Sequence, residues 1–262
     1  MTDFAGKTVL ITGAAGGIGQ SLARTFAEKG AALALLDKVD TVLEVAKALG
    51  DEGFPAAASI ADIGSSDQVA DAVSQLRQTL GPAQILVNNA GFSSASNLET
   101  TKAETWSEDV NGNLNGAYHC TSQVLFDMKD AGAGAIVFIG SVNGASSLGD
   151  PAYSAAKAGM MSYTKAVAME YGRFGIRANM VSPGTVRTPI WNHRIEREPE
   201  ILEKLVKWYP LRRVAEPQDI ANAVMFLASD AAAAISGAIL PVDCGLSAGN
   251  IVMSREITQL EF

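Results

Sequence analysis

The sequence predicts an α/β protein: a single doubly wound, seven-stranded parallel sheet with helices on both faces. Three observations carry this. Short apolar runs lack strict alternation, longer helical patterns separate them from end to end, and a glycine-crowded turn follows the first run. The runs are KTVLIT (7–12), AALALLD (31–37), FPAAAS (54–59), QILVNN (84–89), AIVFIGS (135–141), IRANMVSP (176–183) and AILPVD (238–243). Strands buried on both faces need no polar side, so continuous apolar runs suit them. Helical patterns fill the intervals at about 17–29, 40–49, 66–80, 101–129, 152–173 and 217–229. No linker, low-complexity segment or fixed-period repeat interrupts the 262 residues, so one domain is expected over 1–262. Two segments break the rhythm. Residues 184–210 form a long insertion expected to act as a substrate lid, and a tail of 244–262 continues past the last strand.

Composition narrows the function classes. Hydrophobic residues are 48% and charged residues 18%, an ordinary balance for a packed core. A net charge of −8 disfavours a nucleic-acid partner, which calls for a basic face. Cys120 and Cys244 have neither CxxC spacing nor histidines at ligand distance, so no metal site is expected and both thiols read as free. No apolar run approaches the ~20 residues of a membrane span, and MTDFAGKTVLITG lacks signal-peptide character. A cytoplasmic protein is the expectation.

The turn after the first strand reads TGAAGGIG (12–19), with Gly13, Gly17, Ile18 and Gly19 leading into a helix. Glycines there permit close backbone approach, so N–H groups and the helix N-terminus can hold a pyrophosphate. The spacing is GxxxGxG, distinct from the GxGxxG fingerprint and from the P-loop. Asp37 closes the second strand at the distance expected of a carboxylate that accepts the adenosine ribose hydroxyls. Its charge repels a 2′-phosphate, which favours NAD over NADP; adjacent Lys38 is a cation that could serve such a phosphate. Further on, PAYSAAKAG (151–159) puts Tyr153 and Lys157 four apart with small residues between. On a helix the two leave one face, one turn apart.

These stretches together resemble the short-chain dehydrogenase/reductase family in its roughly 250-residue form, with a Rossmann-like fold, over nearly the whole chain. TGAAGGIG resembles its cofactor loop and NNAG (88–91) its fourth-strand signature; Trp106 leads to NLNG, Ser141 precedes Tyr153 and Lys157, and PGTVRT (183–188) follows the sixth strand. The resemblance implies a catalytic set of Asn113, Ser141, Tyr153 and Lys157. Asn111 and Asn115 flank Asn113, and the spacing from Trp106 with the following Leu-x-Gly favours Asn113. It implies adenine contacts at Asp62 and Ile63, a cofactor wall at Asn89, Ala90 and Gly91, and a nicotinamide turn at Pro183, Gly184, Val186 and Thr188. Tyr153 and Lys157 would also meet the cofactor. It further implies a homotetramer packed through the helices at 101–129 and 152–173. Cys244 stands where the family often has glycine, and the tail is expected to meet a neighbouring subunit or cover the pocket.

The residue types suit the chemistry. Alcohol oxidation by hydride transfer needs a base, and a free tyrosine near pKa 10 serves only if neighbouring cations favour its phenolate. Lys157 supplies such a charge, Ser141 can steady the substrate oxygen, and Asn113 can hold a water leading from Lys157 to solvent. The expected activity is an NAD-dependent oxidoreductase acting on a sugar or polyol hydroxyl, with a 3-oxoacyl thioester or other ketone reductase as the alternative. A nucleotide-sensing regulator would be expected to lack Tyr153 or Lys157, and both are present. Candidate substrate contacts are Ser141, Asn143, Trp191 and His193, with a plain turn role equally open for Asn143. The charges around them, Arg194, Glu196, Arg197, Glu198, Glu200, Glu203, Lys204 and Lys207, read mostly as a charge-laced surface helix.

Overall fold

A computed structural model describes residues 3–94 and 97–260. Seven parallel strands form one sheet in the order β3-β2-β1-β4-β5-β6-β7. They are β1 (Thr8–Thr12), β2 (Ala32–Asp37), β3 (Ala56–Ile60), β4 (Ile85–Asn88), β5 (Gly134–Ile139), β6 (Ile176–Pro183) and β7 (Ile239–Val242). Alternate residues of each strand face opposite cores. Val9 and Ile11 join Phe26, Leu33, Leu35 and Val224 beneath α1 (Gly17–Ala27), α2 (Thr41–Asp51) and α9 (Pro217–Ala228). Leu10 and Leu36 join Leu86, Phe138 and Met160 beneath α3 (Ser66–Leu80), α5 (Gly116–Ala131) and α6 (Pro151–Tyr171). Both faces of the sheet are therefore dry, which is why the strands read as unbroken apolar runs. The chain winds one way from β1 to β3 and the other way from β4 to β7. The strand order thus reverses between β1 and β4, where a crevice opens at the strands' C-terminal ends.

Strand and helix ends fall within two residues of expectation, with one exception of consequence. The expected helix 101–129 is broken into α4 (Ala103–Val110), a π-helical segment (Asn111–Asn115) and α5. Asn113 accounts for the widened turn: its Nδ2 donates to the Asp109 carbonyl at 2.8 Å and to the Phe92 carbonyl at 2.7 Å. A side chain that takes a helix carbonyl competes with the i→i−4 ladder, and π-turns often result at functional sites. Ser141 also differs from expectation. β5 stops at Ile139, and Ser141 begins a turn beyond it rather than continuing the strand.

The insertion 184–210 is pinned at its base. Val186 bridges to Ala215, the Arg187 N–H donates to the Ala215 carbonyl at 2.8 Å, and the Thr185 N–H donates to the Tyr209 hydroxyl at 3.1 Å. It carries α7 (Asn192–Arg197) and α8 (Ile201–Val206), anchored by buried Leu202 and Tyr209. The tail forms α10 (Ile251–Thr258), with Met253 and Ile257 exposed; residues 261 and 262 lie outside the described residues. Among the described residues, no helix is long and apolar enough to cross a membrane.

Buried Asn179 joins β6 to the segment leading into β7. Its Nδ2 donates to the Ile235 carbonyl at 2.8 Å and its Oδ1 accepts from the Ala238 N–H at 3.0 Å. Asn179→Leu strips both backbone groups of partners and is expected to cost about 2–3 kcal/mol. Urea unfolding that gives an unchanged midpoint would contradict this.

Candidate active site

The crevice at the strand-order reversal is a cleft of about 350 Å³. Its floor is the glycine turn. Gly13 adopts φ +65°, and a Cβ there would stand 2.7 Å from the Ala90 Cα. A Cβ on Gly19 would collide with the Gly13 carbonyl, and one on Gly17 would stand 2.9 Å from the Pro189 Cδ. Thr12 and Asn89 bolt this turn to the end of β4. The Thr12 hydroxyl accepts from the Asn89 and Ala90 N–H groups, each at 3.0 Å. The Asn89 amide donates to the Thr12 and Gly13 carbonyls at 2.9 and 3.0 Å. α1 starts at Gly17 with no side chain capping its first N–H groups, whereas α3 and α10 are capped by Ser65 and Asn250. Those N–H groups and the positive end of the helix suit a phosphate.

Asp37 and Lys38 close one end of the cleft. The Asp37 carboxylate accepts from the Ala15 N–H at 3.0 Å and the Val39 N–H at 3.3 Å, which binds the glycine turn to β2. Lys38 lies with its ammonium 4.7 Å from the Phe92 ring centroid. Asp62 and Ile63 line the cleft beside Ala61; the Asp62 carboxylate accepts from the Gly64 N–H, and the Ile63 carbonyl bonds His119 Nδ1. Thr188, Pro189 and Ile190 bring the lid to the cleft, as does Gly91 from β4. Pro183, Gly184 and Val186 stand behind that approach. Pro183 pairs with Val242 at the end of β6, Gly184 packs against Asp243 and Tyr209, and Val186 is buried.

At Gly91 two of the four expected catalytic residues, Asn113 and Lys157, meet. A Cβ there would stand 2.7 Å from the Asn113 Oδ1 and 3.1 Å from the Lys157 Nζ. Asn113 is fully buried, and its Oδ1 has no protein partner. Lys157 is 2% exposed; its ammonium donates to the Ile139 carbonyl at 2.9 Å and lies 5.4 Å from the Tyr153 ring centroid. Burial pushes the Lys157 amine down to about 8. The Tyr153 phenol is pushed up by burial and by the Asp150 carboxylate, against a smaller opposing pull from the Ser141 hydroxyl. Here the electrostatics depart from expectation: among the chain's own groups desolvation dominates, and the phenol is raised rather than lowered.

The candidate substrate contacts divide. Asn143 turns its side chain toward Ser141, Gly149 and Ser154. Trp191 lies beneath the Arg194 guanidinium, 5.0 Å from its ring centroid, and His193 sits on α7. Phe92, Gly112 and Ile190 line the cleft without having been marked by any motif. Phe92 directly follows NNAG, and its ring fills the space a side chain on Gly112 would need, so the pair is legible only once β4 and the π-segment are adjacent. Cys120 and Cys244 are free and buried, and among the described residues no His, Cys, Asp and Glu cluster could hold a metal ion.

A family model described as enoyl-(acyl carrier protein) reductase matches residues 13–247. An oxidoreductase of the short-chain dehydrogenase/reductase family from Burkholderia thailandensis is 47% identical, with a TM-score of 0.90 over 98% of each chain. This chain belongs to that family. An uncharacterized oxidoreductase of Schizosaccharomyces pombe is 43% identical over 96% of this chain and 95% of its own. A gluconate 5-dehydrogenase of Burkholderia cenocepacia, solved with NADP and tartrate, is 31% identical, with a TM-score of 0.88 over 94% of this chain and 98% of its own. The protein is accordingly a short-chain dehydrogenase/reductase oxidoreductase that uses a nicotinamide cofactor. The glycine cradle, uncapped α1 and terminal Asp37 fit such a dinucleotide.

The buried amine has a thermodynamic signature. The unfolded chain binds the Lys157 proton more tightly than the fold does, so folding carries the full penalty below about pH 8, and the penalty fades as pH rises from about 8 to about 10. Lys157→Met removes the titrating group. Between pH 7 and 10 the wild type should gain on the order of 2–3 kcal/mol relative to the variant. Parallel urea-unfolding profiles for the two proteins would refute the assignment.

Proposed function

We propose that the protein is an NAD-dependent dehydrogenase that oxidises a secondary alcohol, most closely a sugar or polyol hydroxyl, with Tyr153 as acid/base. The observation that carries this reading is the convergence of the Asn113 Oδ1 and the Lys157 ammonium on Gly91, at the margin of a glycine-floored cleft. A bound nicotinamide supplies the hydride acceptor and, when oxidised, a positive charge. The Tyr153 hydroxyl takes the alcohol proton as its own passes to Lys157, which in the same relay releases one of its ammonium protons toward solvent, so its charge is unchanged. A phenol held high by burial needs added positive charge to act as a base, which Lys157 and the oxidised ring provide together. The Ser141 hydroxyl donates to the substrate oxygen and holds it against Tyr153. The orphan Asn113 Oδ1 accepts from a water that carries the proton on from Lys157.

Asp37 supports NAD. Its carboxylate, fixed by two backbone N–H groups, keeps lone pairs for ribose hydroxyls and repels a 2′-phosphate. The likeness to a gluconate 5-dehydrogenase supports a polyhydroxylated substrate, and its NADP makes the second cofactor a necessary control. The 3-oxoacyl thioester or ketone reductase remains the second reading, favoured by Lys38 beside Asp37 at the mouth of the cleft. Exposed Tyr118 and Phe126 on α5 and Met169 on α6 support assembly as a homotetramer through those helices. Two free, buried cysteines suit a reducing, cytoplasmic setting.

Tyr153→Phe is expected to lower kcat on the order of a thousandfold while NAD binding stays within a fewfold, because it removes one oxygen and no packing. Near wild-type turnover would sink the mechanism. A panel of sugars, polyols, hydroxyacyl thioesters and simple secondary alcohols, run with NAD and NADP, should give its highest kcat/KM for NAD with a polyol. Activity confined to NADPH and acyl thioesters would replace this reading by the second.

A further inference from the structure

Asn143 was a candidate for a substrate contact or a turn role, and its amide is engaged by the turn and by α6. Ser141 caps the single 3-10 turn Val142–Gly144, its Oγ accepting from the Asn143 N–H at 3.2 Å. The Asn143 Oδ1 lies 3.5 Å from the Ser141 Oγ, as the acceptor for that hydroxyl. The Asn143 Nδ2 donates to the Gly149 carbonyl and to the Ser154 Oγ, both at 3.3 Å. The Ser154 hydroxyl in turn donates to the Gly149 carbonyl at 2.8 Å. Ser154 is 8% exposed and directly follows Tyr153 on α6. The backbone is shaped to permit this arrangement. Asp150 adopts φ +48°, a left-handed conformation that costs a non-glycine residue energy, and Pro151 then starts α6. Strain of this kind persists where surrounding contacts over-determine the local geometry.

The side chains thus link the Ser141 turn, which follows β5, to the residue beside Tyr153 on α6. Covalently the same two points are joined only by the long way round, through residues 142–153. The contact between Asn143 Oδ1 and the Ser141 hydroxyl, at 3.5 Å, lies at the outer limit of a hydrogen bond. It can bias where the serine proton points and still release that proton to a better acceptor at little cost. An amide whose Nδ2 already serves two acceptors has little left to offer a substrate.

We propose that Asn143 and Ser154 are positioning residues that fix the Ser141 hydroxyl relative to Tyr153, and that Asn143 acts through Ser141 rather than by touching substrate. This rests on the reading of Ser141 and Tyr153 given above. It adds that the specificity of the hydroxyl's aim is set by a side-chain ring outside the reacting groups.

Asn143→Ala, Ser154→Ala, the double variant and Ser154→Thr test it, each assayed with NAD and the best alcohol of the panel. Each alanine variant should lower kcat about tenfold per NAD-binding site, with substrate KM and NAD affinity within about twofold. The double variant should be no worse than the more damaged single variant, because both break one ring. Ser154→Thr, which keeps the hydroxyl, should recover most of the rate. A second readout needs no substrate: NMR of ring-labelled tyrosine in the NAD-bound protein should show the Tyr153 ionisation moved upward in both alanine variants. The charged groups next to Tyr153, Lys157 and Asp150, are untouched by these substitutions. A rise in KM at unchanged kcat for Asn143→Ala would make it a substrate contact and overturn the proposal. Additive losses, unaltered kcat in either alanine variant, or an unmoved Tyr153 titration would overturn it as well. If Tyr153→Phe still turns over, the parent reading fails first and independently.

Discussion

The site depends on one uneasy placement, a lysine amine almost wholly removed from water with one protein acceptor, the Ile139 carbonyl. A charge in such a position is expensive, and two backbone features lie beside it. β5 ends at Ile139, which frees that carbonyl for Lys157. The helix before α5 widens into a π-turn, which brings the Asn113 oxygen to the same point on Gly91. The residue at 91 has no side chain, because any Cβ would occupy the space these two groups share.

Much of this was legible in the residues. The seven strands could be read because each is dry on both faces, so the apolar signal is continuous and the intervening helices amphipathic. The cleft could be read from Gly13, Gly17 and Gly19, because absent side chains mark close backbone approach. Less was legible where structure depends on a partner remote in sequence. Nothing local to VNGNLN announces a π-turn; it follows from the Asn113 amide reaching the Phe92 carbonyl across 21 residues. Phe92 and Gly112 compensate for one another in the same way, as bulk supplied by one segment and space by another. The lid resisted reading for a different reason. Its alternating charges read mostly as a surface helix, and that pattern conceals any residue among them that meets a ligand.

Electrostatics taught the opposite lesson. Tyrosine and lysine four residues apart suggested a depressed phenol, since spacing speaks of proximity. Spacing is silent about water. Both groups are buried, so each is driven toward its neutral form, and desolvation outweighs their mutual influence in the chain by itself. The pair is therefore better described as a neutral phenol beside an ammonium that gives up its proton more readily than usual, rather than as a ready-made phenolate.

The contact between Gly17 and Pro189 bears on protein engineering. The lid begins by passing over the second glycine of the phosphate-binding turn, so closely that no side chain fits between them. A chimera that imports another relative's lid to change the alcohol accepted also imports a new neighbour for that turn. The path of the insertion and the shape of the glycine turn are mechanically joined here, and a library that varies residues beyond Ile190 while retaining Thr188 and Pro189 leaves that contact intact.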